Sequence, residues 1–312
     1  MAAPKQSAKE EVRFIGGHRA CAGCGYPIAL KEMFSSTKDP VVIVNATGCM
    51  EVTSTIFPFS AWKTPFMHNA FENAAATISG IEGAYQSLKK QGKFDKNVKF
   101  VALGGDGGTY DIGLQALSGA MERRHDMLYV CYNNEAYMNT GIQRSSATIC
   151  GTNTTTSPAG KVLPGKRQNS KNLTEIMVAH ELPYVAQTTI AMWADATTKF
   201  AKAFSIEGPK FINILSPCVP GWGYHMSQTV KISKMAVETN LWPLYEVENG
   251  VYKITYKPKE RKPIEEYLKL QVRFSHLLKP ENKEIVENIQ KFIDWRWQQL
   301  LLKEEATNKK AE

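Results

Sequence analysis

No apolar run in the 312-residue chain is long enough to cross a bilayer, and its opening, "MAAPKQSAKEEVRF", lacks the apolar core of a signal peptide. The expectation is a cytoplasmic protein, where structural disulfides are rare. Its six cysteines therefore read as buried thiols or ligands, and the sequons at Asn45, Asn153 and Asn172 as chance matches. There is no Gly-Lys-Ser/Thr phosphate loop and no G-x-G-x-x-G fingerprint; counted from Gly105, its last glycine would fall on Tyr110. A second CxxC and paired histidines are missing too, so no compact zinc pattern exists. No Lys/Arg block is interleaved with aromatics, which leaves no recognisable nucleic-acid motif. The net charge of +8 is spread over scattered lysines and fits an acidic partner protein or an anionic cofactor at least as well. Internal repeats are absent.

What is present is an alternation of strand and helix. "VVIVN" (41–45), "VKFVAL" (98–103), "MLYVCY" (127–132), "YVAQTTI" (184–190) and "KFINIL" (210–215) are continuous apolar or β-branched runs, as expected of strands covered on both faces. Helical periodicity fills 70–92, 111–125, 172–181 and 194–208, with Asp111 as a candidate N-cap and Gly92 as a stop. Repeated β–α–β order predicts an α/β fold with a doubly wound, mostly parallel sheet, whose ligands gather beyond the carboxyl ends of the strands. The polar stretch 141–171 is too long for an ordinary connection and reads as functional or mobile. Beyond about 225 the rhythm stops. The chain closes on a helical extension over 281–305, whose stripe of Ile285, Ile289, Phe292, Ile293, Trp297 and Leu300 predicts docking on the same core or on a partner.

The richest stretch is 98–141, where a strand runs into Gly104-Gly105-Asp106-Gly107-Gly108 and the next strand ends at Asn133-Asn134. Glycines at a helix N-terminus let the backbone approach an anion and offer it free N–H groups. In a parallel sheet the two strand ends lie side by side. One carboxylate, one amide oxygen and a backbone carbonyl, joined by diphosphate oxygens, would make an oxygen octahedron suited to Mg²⁺.

The cysteines divide by context. Cys21 and Cys24 form one CxxC, open to a structural zinc, a redox pair, an iron–sulfur cluster or plain burial. No strand precedes the pair, which argues against a thioredoxin-like site. Cys131 lies inside a strand and reads as a buried thiol. Cys49 and Cys218 follow strands, on the edge where Asp106 and Asn134 also lie, while Cys150 in the polar loop is a weaker ligand candidate. Four loop cysteines on that edge would suit a [4Fe-4S] cluster embedded in a larger fold, since ligands can come from distant loops.

Taken together, "GDGGTYDIG…NNEAYMNTGIQRSSAT", "HRACAGCGYP" and "NATGCMEVTSTIFP" resemble the β subunit, the thiamine diphosphate-binding subunit, of pyruvate:ferredoxin and related 2-oxoacid:ferredoxin oxidoreductases, over residues 14–225. The resemblance implies that Asp106, the Asn134 side chain and the Ala136 carbonyl bind Mg²⁺, and that Gly105 and Gly107 line the diphosphate. It places Asn139 and Val52 against the thiazolium and substrate. It also implies that Cys21, Cys24, Cys49 (28 positions after Cys21, 49 − 21) and Cys218 bind one [4Fe-4S] cluster. Thiamine diphosphate would decarboxylate a 2-oxoacid, pyruvate by default, with branched or aryl 2-oxoacids, 2-oxoglutarate and oxalate as other substrates. Electrons would pass to ferredoxin and the acyl group to coenzyme A.

In that family the cofactor lies between a diphosphate domain and a pyrimidine domain, which carries the glutamate that activates the aminopyrimidine. The expected organisation here is a thiamine diphosphate- and cluster-binding domain over 1–225 and a subunit-docking extension over 226–312. Expected partners are a pyrimidine-domain subunit and a ferredoxin-like subunit with further clusters, with no nucleic acid and no membrane. Two other readings carry less: a non-oxidative thiamine diphosphate-dependent decarboxylase or synthase, which needs no cluster, and a structural zinc module.

Overall fold

The structure, a computed structural model, describes residues 12–309. The uninterrupted apolar runs are strands of one sheet: β1 (Val41–Ala46), β2 (Phe66–Asn69), β3 (Lys99–Gly105), β4 (Leu128–Asn133), β5 (Tyr184–Thr189), β6 (Lys210–Leu215), β7 (Leu244–Glu248) and β8 (Val251–Tyr256). Their spatial order is β2-β1-β3-β4-β6-β5-β7-β8. The first six in that order are parallel, whereas β7 runs antiparallel to β5 and β8 antiparallel to β7.

Helices cover both faces: α1 (Tyr26–Phe34), α2 (Cys49–Ser54), α3 (Ala74–Lys90), α4 (Leu114–Glu122), α5 (Leu173–Val178), α6 (Trp193–Ser205), α7 (Val219–Trp222), α8 (Thr229–Glu238), α9 (Glu265–Leu268) and α10 (Lys283–Asn308). Successive strand residues point to opposite faces, so β4 sends Tyr129 and Cys131 into one core and Val130 and Tyr132 into the other. The first core holds α3, α4 and α5; the second holds α1 and α6, with Leu30, Met33, Phe200 and Ala203 fully buried. A third cluster joins α8, α9 and the first half of α10 around Trp222 and Phe274. The sheet is thus doubly wound. Strand order reverses between β1 and β3, the switch point where such sheets open a crevice for ligands.

Four expectations change in detail. The chain turns helical at Gly107, through a wide turn over Gly107–Ile112, before α4 begins at Leu114. Asp111 therefore caps no helix, and its carboxylate accepts from Ser146 N–H and Oγ instead. The 141–171 stretch is packed, with Ser145, Thr148 and Thr152 buried. Strand β2 was not anticipated, because it is a four-residue edge strand with Met67 and His68 exposed. Past residue 225 the chain adds α8 and the β7–β8 hairpin to the same sheet; Asn249 and Gly250, both at positive φ, form its turn. Gly92 does follow the end of α3, at φ +66°. The closing helix docks on its own chain, burying Ile289, Ile293 and Leu300. Among the described residues no helix is long and apolar enough to cross a membrane.

Candidate cofactor and metal centre

At the switch point, the turns after β1 and β3 and the end of β4 enclose a small cavity. Thr47, Gly48, Cys49, Gly105, Asp106, Gly107, Tyr132, Asn134, Ala136 and Asn139 are among the residues lining it. Asp106 is fully buried; it accepts from Asn134 N–H at 3.2 Å and from the Ser145 hydroxyl. Burial pushes its carboxyl up to about 7, against the pull of those two donors.

The amide of Asn134 reports on what belongs beside that carboxylate. With its nitrogen inward it would donate to the Ala136 carbonyl at 2.8 Å and to Asp106 Oδ1 at 2.9 Å. With its oxygen inward, that oxygen stands at those same separations from the Ala136 carbonyl and from Asp106 Oδ1, with no donor between them. Two neighbouring ligands of an octahedral Mg²⁺, each 2.0–2.1 Å from the ion, stand about 2.9 Å apart. Both separations fit neighbouring positions of such an octahedron, and the chemistry of the set, one carboxylate and two neutral oxygens, fits a hard cation.

The same loop is clamped from behind. Glu135, at φ +67°, pairs with Arg273 at 2.6 Å, and both are buried. The Arg273 guanidinium lies 3.9 Å over the Trp222 ring, whose indole N–H donates to the Asn134 carbonyl at 2.7 Å. Neither Arg273 nor Trp222 was singled out from sequence. The same is true of His68, which meets Thr47 Oγ1 at 2.8 Å and lies 3.6 Å from Glu51 at the rim.

Four cysteines are brought to this edge by backbone packing. The Cys21–Cys24 loop closes on itself through Cys24 N–H to Cys21 O at 2.9 Å. Gly23, at φ +77°, lies so close to Met226 that a Cβ would sit 2.4 Å from its carbonyl oxygen, and Thr229 Oγ1 donates to Gly23 O. A Cβ on Gly25 would stand 2.6 Å from Ser216 Oγ, which sets the loop against the end of β6, two residues before Cys218. The Tyr26 hydroxyl meets Thr53 Oγ1 at 2.7 Å and so ties α2, which begins at Cys49, to the same loop.

The thiols then sense one another. Burial pushes Cys24 up to about 12, with Cys49 and Cys21 adding to it; burial likewise takes Cys218 to about 12, with Cys49, Cys24 and Cys21 adding. Cys49 is also raised by burial, while Asn139 beside it pulls the other way. Burial thus favours the neutral thiol at Cys24, Cys49 and Cys218, while Cys21 beside them is exposed. Four thiolates on one zinc at about 2.3 Å would lie within roughly 4 Å of each other. Among the described residues no three His, Cys, Asp or Glu side chains close that tightly.

Val52, 41% exposed, stands on the open side of α2, and Asn139 is exposed at the cavity mouth. Cys131 is buried in the first core. Cys150 lies apart, its thiol donating to the Arg167 carbonyl at 3.4 Å beside a second cavity of about 290 Å³ between α10 and the 141–171 segment. That larger space holds none of the converging oxygens or the clustered thiols.

The fold and the oxygen set at its switch point suit an anion- and cation-binding α/β domain, and a family match gives the class, a thiamine pyrophosphate enzyme. The family model for the C-terminal thiamine pyrophosphate-binding domain of thiamine pyrophosphate enzymes matches residues 46–214. The pyruvate synthase subunit PorB of Thermotoga maritima is 52% identical over 97% of this chain and 95% of its own; that of Methanocaldococcus jannaschii is 55% identical over 93% and 96%. The ketoisovalerate oxidoreductase subunit VorB of Pyrococcus abyssi is 43% identical over 93% of each chain. A 2-oxoglutarate:ferredoxin oxidoreductase structure from Magnetococcus marinus shares the fold, with a TM-score of 0.56 and 20% identity over 70% of this chain and 71% of that one. This chain belongs to the β subunits of the 2-oxoacid:ferredoxin oxidoreductase family, and is one subunit of an oxidoreductase that works with partner chains.

Proposed function

We propose that the chain takes part in the oxidative decarboxylation of pyruvate by a cytoplasmic complex that uses thiamine diphosphate, Mg²⁺ and one [4Fe-4S] cluster, with ferredoxin as electron acceptor and coenzyme A as acyl acceptor. Thiamine diphosphate, when bound, supplies the carbanion chemistry that releases carbon dioxide from a 2-oxoacid. The protein's part is positional. Asp106, Asn134 and the Ala136 carbonyl hold the cation, Gly105 and Gly107 let the backbone approach the diphosphate, and Val52 and Asn139 face the reacting end. Cys21, Cys24, Cys49 and Cys218 ligate the cluster.

One observation carries the reading: a single cavity is lined by the converging oxygens of Asp106, Asn134 and Ala136 and also by Cys49. Cofactor and electron acceptor would then be neighbours, as one-electron oxidation requires. A pyrimidine-domain subunit would cover the open side, where Phe57 and Phe59 on the loop after α2 are 93% and 72% exposed. A ferredoxin-like subunit would carry electrons onward. The 226–312 segment would serve in subunit docking, presenting Trp295 and Val272 outward.

The test is anaerobic purification of the complex with its partners, followed by iron, sulfide and thiamine diphosphate analysis of wild type and Cys49→Ala. Wild type is expected to hold all three. The variant is expected to keep the cofactor but lose reduction of a low-potential dye. Iron-free wild type, or a variant that still reduces the dye, would overturn the reading.

A further inference from the structure

Tyr132, near the end of β4, is 2% exposed; the Met50 backbone N–H at the start of α2 faces its oxygen, but its hydroxyl proton has no acceptor. Buried hydroxyls nearly always have one, and an unpaired polar group is costly. The ring is not there merely to fill space, because its hydroxyl is given a slot. A Cβ on Gly48 would stand 2.7 Å from the hydroxyl oxygen, and one on Gly105 would stand 3.5 Å from it. The phenol oxygen thus lies between the turn after β1 and the diphosphate loop after β3, on the wall of the cavity that holds Asp106 and Asn134.

Candidate acceptors within the chain are excluded by the contacts present. Neither the Asp106 carboxylate nor the Cys49 sulfur is within bonding distance of the hydroxyl. An O–H donor with no protein acceptor, at the edge of an anion-binding loop, requires an acceptor from the ligand. We propose that Tyr132 is a cofactor-binding residue whose hydroxyl donates to a diphosphate oxygen of thiamine diphosphate. The inference rests on the thiamine diphosphate reading above and adds to it a residue outside the Gly-Asp-Gly and Asn-Asn motifs.

Tyr132→Phe keeps the ring and removes only the donor. In the complete complex, freed of cofactor by gel filtration without Mg²⁺, thiamine diphosphate is titrated with Mg²⁺ by calorimetry. The variant should bind roughly tenfold more weakly, the loss typical of a hydrogen bond to a charged group. Cofactor-free variant should melt close to the wild-type temperature, since the hydroxyl it lacks donates to nothing in the cofactor-free chain. Equal affinity overturns the proposal, as does a lowered melting temperature of the cofactor-free protein, which would make the hydroxyl structural. Unchanged affinity with a shifted cluster potential would assign the hydroxyl to the cluster and equally overturn it. Wild-type complex that binds no thiamine diphosphate would bring down the underlying reading, and this inference with it.

Discussion

At the scale of single residues, the cation loop depends on a buried ion pair. Glu135 lies between two proposed Mg²⁺ ligands in a left-handed conformation that a non-glycine residue adopts at a cost. Arg273 holds it there and also stacks on Trp222, which ties down the Asn134 carbonyl. Removing the guanidinium would strand a carboxylate in the interior. Arg273→Ala should therefore lose about 3–5 kcal/mol of stability in denaturant titration. Arg273→Met with Glu135→Gln should lose much less, because no charge is left unpaired; a loss below about 1 kcal/mol for the single variant would refute this account. Asp106 and Asn134 were legible in sequence because each sits in a local strand-end loop whose composition announces it. Trp222 and Arg273 were not, since their partners lie 88 and 138 residues away and nothing local marks them.

At the scale of elements, the parallel strands were legible because burial on both faces writes an uninterrupted apolar run. β7 and β8 were passed over because their pattern differs: β8 alternates exposed and buried residues at its start, as an edge strand must. The Asn249-Gly250 turn was the local signal that could have found them. Helix α1 carries a feature no pattern predicts. Glu32 is 2% exposed, and neither of its carboxylate oxygens has a partner. Burial, with a lesser push from Asp195, raises its carboxyl to about 9. In the unfolded chain the group ionises near its ordinary 4.5. Below that pH both states are protonated and the burial carries no ionisation cost. Between about 4.5 and 9 only the unfolded state gives up the proton, so stability falls as pH rises across that window. Glu32→Gln should flatten this slope and stabilise the chain at pH 7 by on the order of 2 kcal/mol, read from urea unfolding at pH 5 and pH 8. An unchanged slope would mean that Glu32 finds a partner in solution.

At the scale of the whole molecule, the cavity at the switch point is too small to be a complete site. Its volume is about 20 Å³, room for little more than a water, whereas pockets for drug-sized ligands run to about 300–1,000 Å³. On the proposed function, this chain would supply a floor: the diphosphate and cation end, with the cluster thiols beside it. The remainder of a bound cofactor would have to lie outside the cavity, and Val52, Phe57 and Phe59, on and just after the helix that begins at Cys49, are exposed. Exposed apolar side chains of that size close together in the chain mark a surface suited to being covered. On the proposed function, the residues that choose among 2-oxoacids would belong mainly to whatever covers it, and this chain's sequence would then carry the cofactor signature without the substrate's. The chain alone, supplied with thiamine diphosphate, Mg²⁺ and coenzyme A, should reduce no low-potential dye with any 2-oxoacid. Reassembled with its partner subunits, it should turn over pyruvate faster than 2-oxoisovalerate, 2-oxoglutarate or oxalate. Exchanging the pyrimidine-domain partner for one from a branched-chain enzyme should carry the preference with it, with this chain unchanged. If the preference instead stays with this chain, the discriminating contacts lie on its own rim, at Val52 and Asn139.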